Sequence, residues 1–262
     1  MRPLAYKEHP YQWPTIGKEL SHIANATLDE VKDFFFRFYA PNNAVLAVTG
    51  NISFEEAVAL TEKWFGTIPR RDVPVRRLPQ EPVQTEERRL TVERNVPLDA
   101  LFMAFHMCER AHPDYYAFDI LSDILSNGRS SRLNQHLVQE KQLFSSIDAS
   151  ISGSIDAGLF HISGKPSAGV SLEEAEAAVN EAIAAQELEK VKNKFESTQI
   201  FGNINYLNVA TNLAWFELNG VAEDMEKEVE RYRAVTAGQL QTVAQTAFDK
   251  ANGVVLKIVS SE

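Results

Sequence analysis

Residues 27–50 read TLDEVKDFFFRFYAPNNAVLAVTG, and residues 236–259 read TAGQLQTVAQTAFDKANGVVLKIV. Thr27, with Glu30 three residues on, is a capping box that opens an amphipathic helix, and Thr236-Ala-Gly-Gln-Leu opens a second. The helices end on aromatic residues, Tyr39 and Phe248. Beyond them Asn43 pairs with Asn252, Val45 with Val254 and Leu46 with Val255, all at one fixed offset. A capped helix, an aromatic end, an asparagine turn and a β-branched strand therefore occur twice, and an internal repeat bears on the fold before any single element does. The second copy closes a long run of strands and helices, whereas the first closes almost nothing. Equivalence of the copies predicts that most of a similar domain lies upstream of Met1. Chance recurrence of a common unit is the alternative, and the pattern alone leaves it open.

Outward from the first copy, residues 1–23 mix Pro3, Pro10, Pro14 and Gly17 with aromatic residues and read as an irregular arm. Residues 44–48 suit a buried strand closed by Gly50-Asn51. A helix follows from Ser53 to Trp64-Phe65, with Glu56 placed for capping and Gly66 for the stop. Between residues 68 and 87, Pro69, Pro74, Pro79 and Pro82 stand among charged residues and no period is sustained, which marks a linker. Residues 88–94 and 100–107 then read as strands, 114–125 as a helix with Tyr115, Phe118, Leu121, Ile124 and Leu125 on one face, and 130–139 as a short helix. Residues 144–153 and 158–164 form a predicted hairpin around Asp156-Ala157-Gly158. The remainder to Phe248 is mainly helical, with a last strand at 254–259.

The chain has 262 residues, 44% of them apolar, enough for one large or two ordinary domains with a real core. A formal charge of −10 repels phosphate backbones and anionic lipid, so nucleic acid is not an expected partner. The lone Cys108 excludes an intrachain disulfide and a cysteine-rich metal cage. No run approaches the roughly 18 apolar residues of a membrane span. A soluble protein of the bacterial cytoplasm or periplasm is the expectation, with the compartment open.

Several motifs fall in an order that resembles one family. They are residues 9–17 (HPYQWPTIG), Thr27-Leu-Asp-Glu-Val, Phe38-Tyr39, residues 41–44 (PNNA), Val48-Thr49-Gly50, Asp114-Tyr115, residues 124–133 (ILSNGRSSRL) and residues 187–192 (ELEKVK). Together they are similar to the insulysin/pitrilysin-like zinc metallopeptidases, close to the mitochondrial-processing-peptidase branch. The resemblance implies an α+β fold: a mixed β-sheet covered by helices, preceded by the remnant of a similar domain, the two forming half of a clam-like chamber. It also implies a zinc site elsewhere, an inverted H-x-x-E-H helix in the family's first domain, whose paired histidines hold the metal while glutamate activates water.

No H-x-x-E-H occurs among His9, His22, His106, His112, His136 and His161, and no two of these are four residues apart. His106-x-x-Glu109-x-x-His112 follows a strand, with the wrong spacing for one helical face. Two-part family members carry an arginine and, seven residues later, a tyrosine that contact the substrate backbone; the matching positions here are Val138 and Ser145. The turn Asn127-Gly128-Arg129-Ser130-Ser131-Arg132 supplies a helix start and two guanidinium groups suited to a carboxylate or phosphate. Its structural alternative is a connecting turn capped by Ser130. Cys108 beside His106, and Ser154 with Asp156 and His161, lack any evident oxyanion hole or triad geometry. Between Ala185 and Glu187 the family has a longer connection, so a loop is expected to be missing there.

The expectation is thus a non-catalytic C-terminal portion of a zinc-dependent peptidase, inactive alone, shaping the substrate chamber and contacting peptide. The alternative is a structural or partner subunit from an inactive family member. Residues 1–70 are assigned to the end of the first domain, 71–87 to the linker and 88–262 to the second domain. Arg129, Ser130, Ser131 and Arg132 are the candidate substrate-binding residues, with no catalytic or metal residues. No cofactor is expected in this chain and zinc only in the parent protein. Expected partners are the missing N-terminal catalytic domain or a catalytic subunit, peptide substrate, and a second copy of the chain.

Overall fold

The computed structural model describes residues 1–184 and 205–261. The chain divides into two compact units, one of Met1–Gln12, Gln80–Glu196 and Val229–Glu262, the other of Trp13–Pro79 and Ser197–Glu228. The family-like segment 187–192 and the expected gap near Ala185 lie outside the described residues.

The first unit is built on strands β1 (Arg88–Arg94), β2 (Ala100–His106), β3 (Phe144–Ile151), β4 (Leu159–Pro166) and β5 (Gly253–Ser260). Their order across the sheet is β1-β5-β2-β4-β3, with β5 parallel to β1 and the other pairs antiparallel. The last strand in sequence is therefore a central one, which is why residues 254–259 are so rich in valine and isoleucine. Alternation along β2 sends Leu101, Met103 and Phe105 to one face, where the helices Tyr115–Ser126, Leu172–Ala184 and Ala237–Ala247 cover them, and Ala104 to the other. The β3–β4 hairpin bends tightly over its own core: a Cβ on Gly164 would lie 2.6 Å from the Phe144 ring, so only glycine admits that buried aromatic.

In the second unit, helices Leu28–Phe38 and Phe54–Phe65 form as their caps predict. Glu30 N donates to Thr27 Oγ1 at 3.3 Å while Thr27 N donates to Glu30 Oε2 at 2.8 Å, and Glu56 N donates to Ser53 Oγ at 3.2 Å. The internal repeat extends to single hydrogen bonds. Gln239 N donates to Thr236 Oγ1 at 3.2 Å, as Glu30 does to Thr27. Asn43 Nδ2 donates to Phe38 O at 2.8 Å and Asn252 Nδ2 to Ala247 O at 2.9 Å, each after a 3₁₀ turn, Pro41–Asn43 or Lys250–Asn252.

After these asparagines the copies diverge. β5 lies between β1 and β2, and Asn252 Nδ2 also reaches His106 O on β2 at 2.9 Å. Residues 44–48, expected as a buried strand, are in no strand, with Val45, Leu46 and Val48 exposed. Strand propensity needs a ladder partner, and among the described residues of that unit there is none.

The arm also differs from the expectation of an irregular segment. Met1–Gln12 contains a helical turn, Arg2–Ala5, and a 3₁₀ turn, Pro10–Gln12. It packs on the sheet face away from the helices, where Ala5 and Tyr6 bury against Ala104, Leu159 and Val254.

Candidate functional site

Helix Tyr115–Ser126 ends at Asn127, whose Nδ2 donates back to Asp123 Oδ1 at 2.8 Å. Gly128 follows with φ +94°, a conformation that lets the chain turn at once into the next helical stretch. Ser131 N donates to Gly128 O at 3.1 Å and closes the turn. The following helix, expected as α, is π-helical over Asn134–Glu140, a geometry that recurs at functional sites. Gln139 Nε2 holds the turn from the other side, donating to Arg129 O at 3.1 Å and Asn134 Oδ1 at 2.8 Å. These ties leave an open depression of about 630 Å³ lined by Arg129, Ser130, Asn134, Gln135, Val138 and Gln139.

Of the four candidate residues, Arg129 and Ser130 therefore share one exposed depression. Ser131 is turned into the fold, with its Oγ buried and without a hydrogen-bond partner among the described residues. Arg132 is half-buried and is not part of the depression's lining. An exposed guanidinium, a hydroxyl and three side-chain amides can hold a peptide backbone or a carboxylate. They include no general base or nucleophile.

The other constellations do not converge. Burial pushes the Cys108 thiol up to about 12, with Glu109 and Asp114 adding to the effect, so it is not a thiolate near neutral pH. His112 Nδ1 accepts from Asp114 N at 3.1 Å, His106 lies at the arm-facing end of β2, and no group of three metal-ligating side chains exists among the described residues. The residues present do not fit a zinc site. His161 pairs with Ser152 Oγ at 2.9 Å, while Asp156 lies 3.3 Å from His9, so Ser154, Asp156 and His161 form no triad. Val138 and Ser145 offer no charge to a peptide, and Ser145 Oγ donates to Lys165 O at 3.1 Å.

A cluster that sequence reasoning passed over joins the arm to the unit beneath it: Tyr6, His9 and Tyr11 of the arm with Glu81, His106, Asp156 and His161. Its one sequence signal is the pair of histidines at alternate, arm-facing positions of otherwise apolar strands, His106 on β2 and His161 on β4.

The family model described as "Peptidase M16 inactive domain" matches residues 25–198. The zinc protease PqqE of Helicobacter pylori is 33% identical over 144 residues, which are 54% of this chain and 32% of that protein. In the solved structure of a protease from Helicobacter pylori, a fold with TM-score 0.89 and 24% identity covers 98% of this chain and 65% of that one. A peptidase M16 inactive domain from Pseudomonas fluorescens shares the fold at TM-score 0.85 and 19% identity, over 100% of this chain and 64% of that one. The chain spans between 32% and 58% of the first curated relatives it matches. The matched family model, the α+β sheet and a sequence without H-x-x-E-H agree: the chain belongs to the peptidase M16 family, to its inactive domain.

Proposed function

We propose that this chain forms a non-catalytic wall of the substrate chamber of a zinc-dependent peptidase and completes a catalytic-type domain supplied by another polypeptide segment. The observation that carries this reading is the unequal burial of the two repeats. Leu240, Val243, Ala244 and Ala247 of helix Ala237–Ala247 are 2–6% exposed against the β5-containing sheet. Their counterparts Val31, Phe34 and Phe35 are 58%, 57% and 49% exposed, and Val45, Leu46 and Val48 beside them have no sheet to enter. An apolar stripe of three large side chains and an unpaired strand sequence fit a docking face better than a solvated one. The partner is then a sheet that takes residues 44–48 between a parallel and an antiparallel neighbour, as β5 sits between β1 and β2. On this reading residues 1–70 close the catalytic-type domain, 71–87 link, and 88–262 form the inactive domain. The zinc belongs to the partner, and Arg129 and Ser130 contact peptide from the wall.

The test is reconstitution with a catalytic M16 segment that carries H-x-x-E-H. Hydrolysis of an unfolded peptide is expected from the mixture and not from this chain alone. Chelator-sensitive hydrolysis by the chain alone, or zinc bound to it at one equivalent, would overturn the proposal. Val138 and Ser145, standing where substrate-contacting residues occur in two-part relatives, favour a second reading, a scaffold or partner subunit. That reading predicts a stable complex whose hydrolysis is unchanged by Arg129→Ala.

A further inference from the structure

The arm is clamped to the rest of its unit by polar groups at the C-terminal end of its short helix and in the three residues beyond Tyr6. Arg88 Nη1 donates to Leu4 O at 3.3 Å and to Ala5 O, which are orphan carbonyls of Arg2–Ala5. Glu81 accepts from three consecutive backbone amides, Lys7 N at 2.8 Å, Glu8 N at 2.9 Å and His9 N at 3.0 Å. Arg88 and Glu81 are themselves 3.8 Å apart. Tyr6, between the clamps, is buried and donates to Ala157 O at 3.1 Å. Its ring meets His106 edge-on at 5.6 Å.

Two imidazoles, His106 and His161, lie under this strap, and a third, His9, belongs to it. His9 is 4% exposed, and its Nδ1 accepts from Tyr11 N at 3.2 Å, so the neutral ring carries its proton on Nε2. That nitrogen is 3.3 Å from Asp156 Oδ2 but too poorly aligned for a hydrogen bond. His106 Nε2 is buried without a hydrogen-bond partner among the described residues. His161 faces Arg2. Protonation would thus place new charge in a layer that already holds Arg2 and Arg88, with Glu81 and Asp156 as the carboxylates.

We propose that Met1–Gln12 is an acid-released strap: protonation of His106 and His161 beneath it, and then of Glu81 at its clamp, frees it and bares Ala104, Leu159 and Val254.

Burial lowers His106, with Arg88 adding and Glu81 and the Ala5 carbonyl opposing, and burial also lowers His161, with Arg2 adding. A histidine lowered in the closed state binds its proton more readily in the open one. Closure is therefore full above the ordinary value of 6.5 and erodes as pH falls from there. Burial raises Glu81, but the amides of His9, Glu8 and Lys7 outweigh it and hold the carboxyl below 4.5. Its contribution is present above that value and is lost as pH falls below it. Release is accordingly expected to begin near pH 6.5 and to complete below 4.5.

Hydrogen exchange on the full 262-residue chain, corrected for the intrinsic pH dependence, compares peptides covering residues 2–12 with those covering β3 and β4. Between pH 7.5 and 5.5 the strap is expected to lose at least tenfold in protection, about tenfold per pH unit for each histidine titrated, while β3 and β4 stay protected. The double variant His106→Gln, His161→Gln should flatten this response, and Glu81→Gln should loosen the strap throughout the range from pH 7.5 to 5.5. Protection of residues 2–12 that follows β3 and β4 at all pH values would overturn the proposal, as would an undiminished response in a folded double variant. The wild-type comparison needs no variant, so one that fails to fold leaves the test standing.

Discussion

Lys257 carries an ammonium group into the layer between sheet and helices, only 6% exposed. It is held by Glu173 at 2.8 Å and Glu176 at 3.0 Å, and Glu176 also takes Arg89 at 2.6 Å. Burial pushes Glu176 up, but Arg89 and Lys257 outweigh it and hold the carboxyl below its ordinary range. Its contribution is therefore present near neutral pH and lost as acid protonates it. Glu176→Ala should cost about 2 kcal/mol by urea denaturation at pH 7, because it strips hydrogen bonds from two cations and leaves Lys257 buried with the exposed Glu173 alone. Cys108 makes a kinetic prediction at the same scale. With its thiol pushed up to about 12, labelling by a thiol-specific chromogenic reagent at pH 8 should be roughly a thousandfold slower than in the unfolded chain. Rapid labelling of the native protein would revive Cys108 as a nucleophile.

At the scale of elements, the two asparagine turns differ in a measurable way. Asn252 ties its helix end to β2 as well as to Ala247, whereas the Asn43 side chain reaches, among the described residues, only Phe38. Asn252→Ala should therefore cost about 2 kcal/mol and Asn43→Ala about 1 kcal/mol, read from chemical denaturation. Equal costs would mean that the second bond contributes nothing. Gly164→Ala should cost several kcal/mol, since its methyl would overlap the buried Phe144 ring. Helix starts were legible from sequence because Thr27, Ser53 and Thr236 act through bonds three residues long, and the hairpin was legible from its turn. Residues 44–48 were misread because a strand's existence depends on a neighbour that local sequence does not contain. The π-helical Asn134–Glu140 was also out of reach, since its residue Leu137 is fully buried in a core made by distant segments that local sequence does not contain.

For the whole molecule, the exposed face of helix Leu28–Phe38 predicts concentration-dependent association of the isolated chain, seen by light scattering. Phe35→Glu should shift the chain toward monomer without loss of helicity, and a catalytic M16 segment should compete with self-association. A monomer at high concentration, with Phe35 intact, would argue that this face is solvated by design.

The candidate depression was half legible. Gly128 and the flanking Asn127 and Ser131 marked a turn, but which of the four residues face solvent depends on the helix that follows, and Ser131 proved to be buried. What the sequence determined by itself is the family, the repeat, the caps and the absence of H-x-x-E-H, because each resides in residue identity at short, fixed spacing. Only the tertiary structure decided that the final strand is central, that the arm lies across the sheet over His106 and His161, and that the two copies of one motif are buried so differently. Those outcomes depend on which distant surface is available to cover each apolar face, and burial is a property of the pair rather than of either segment.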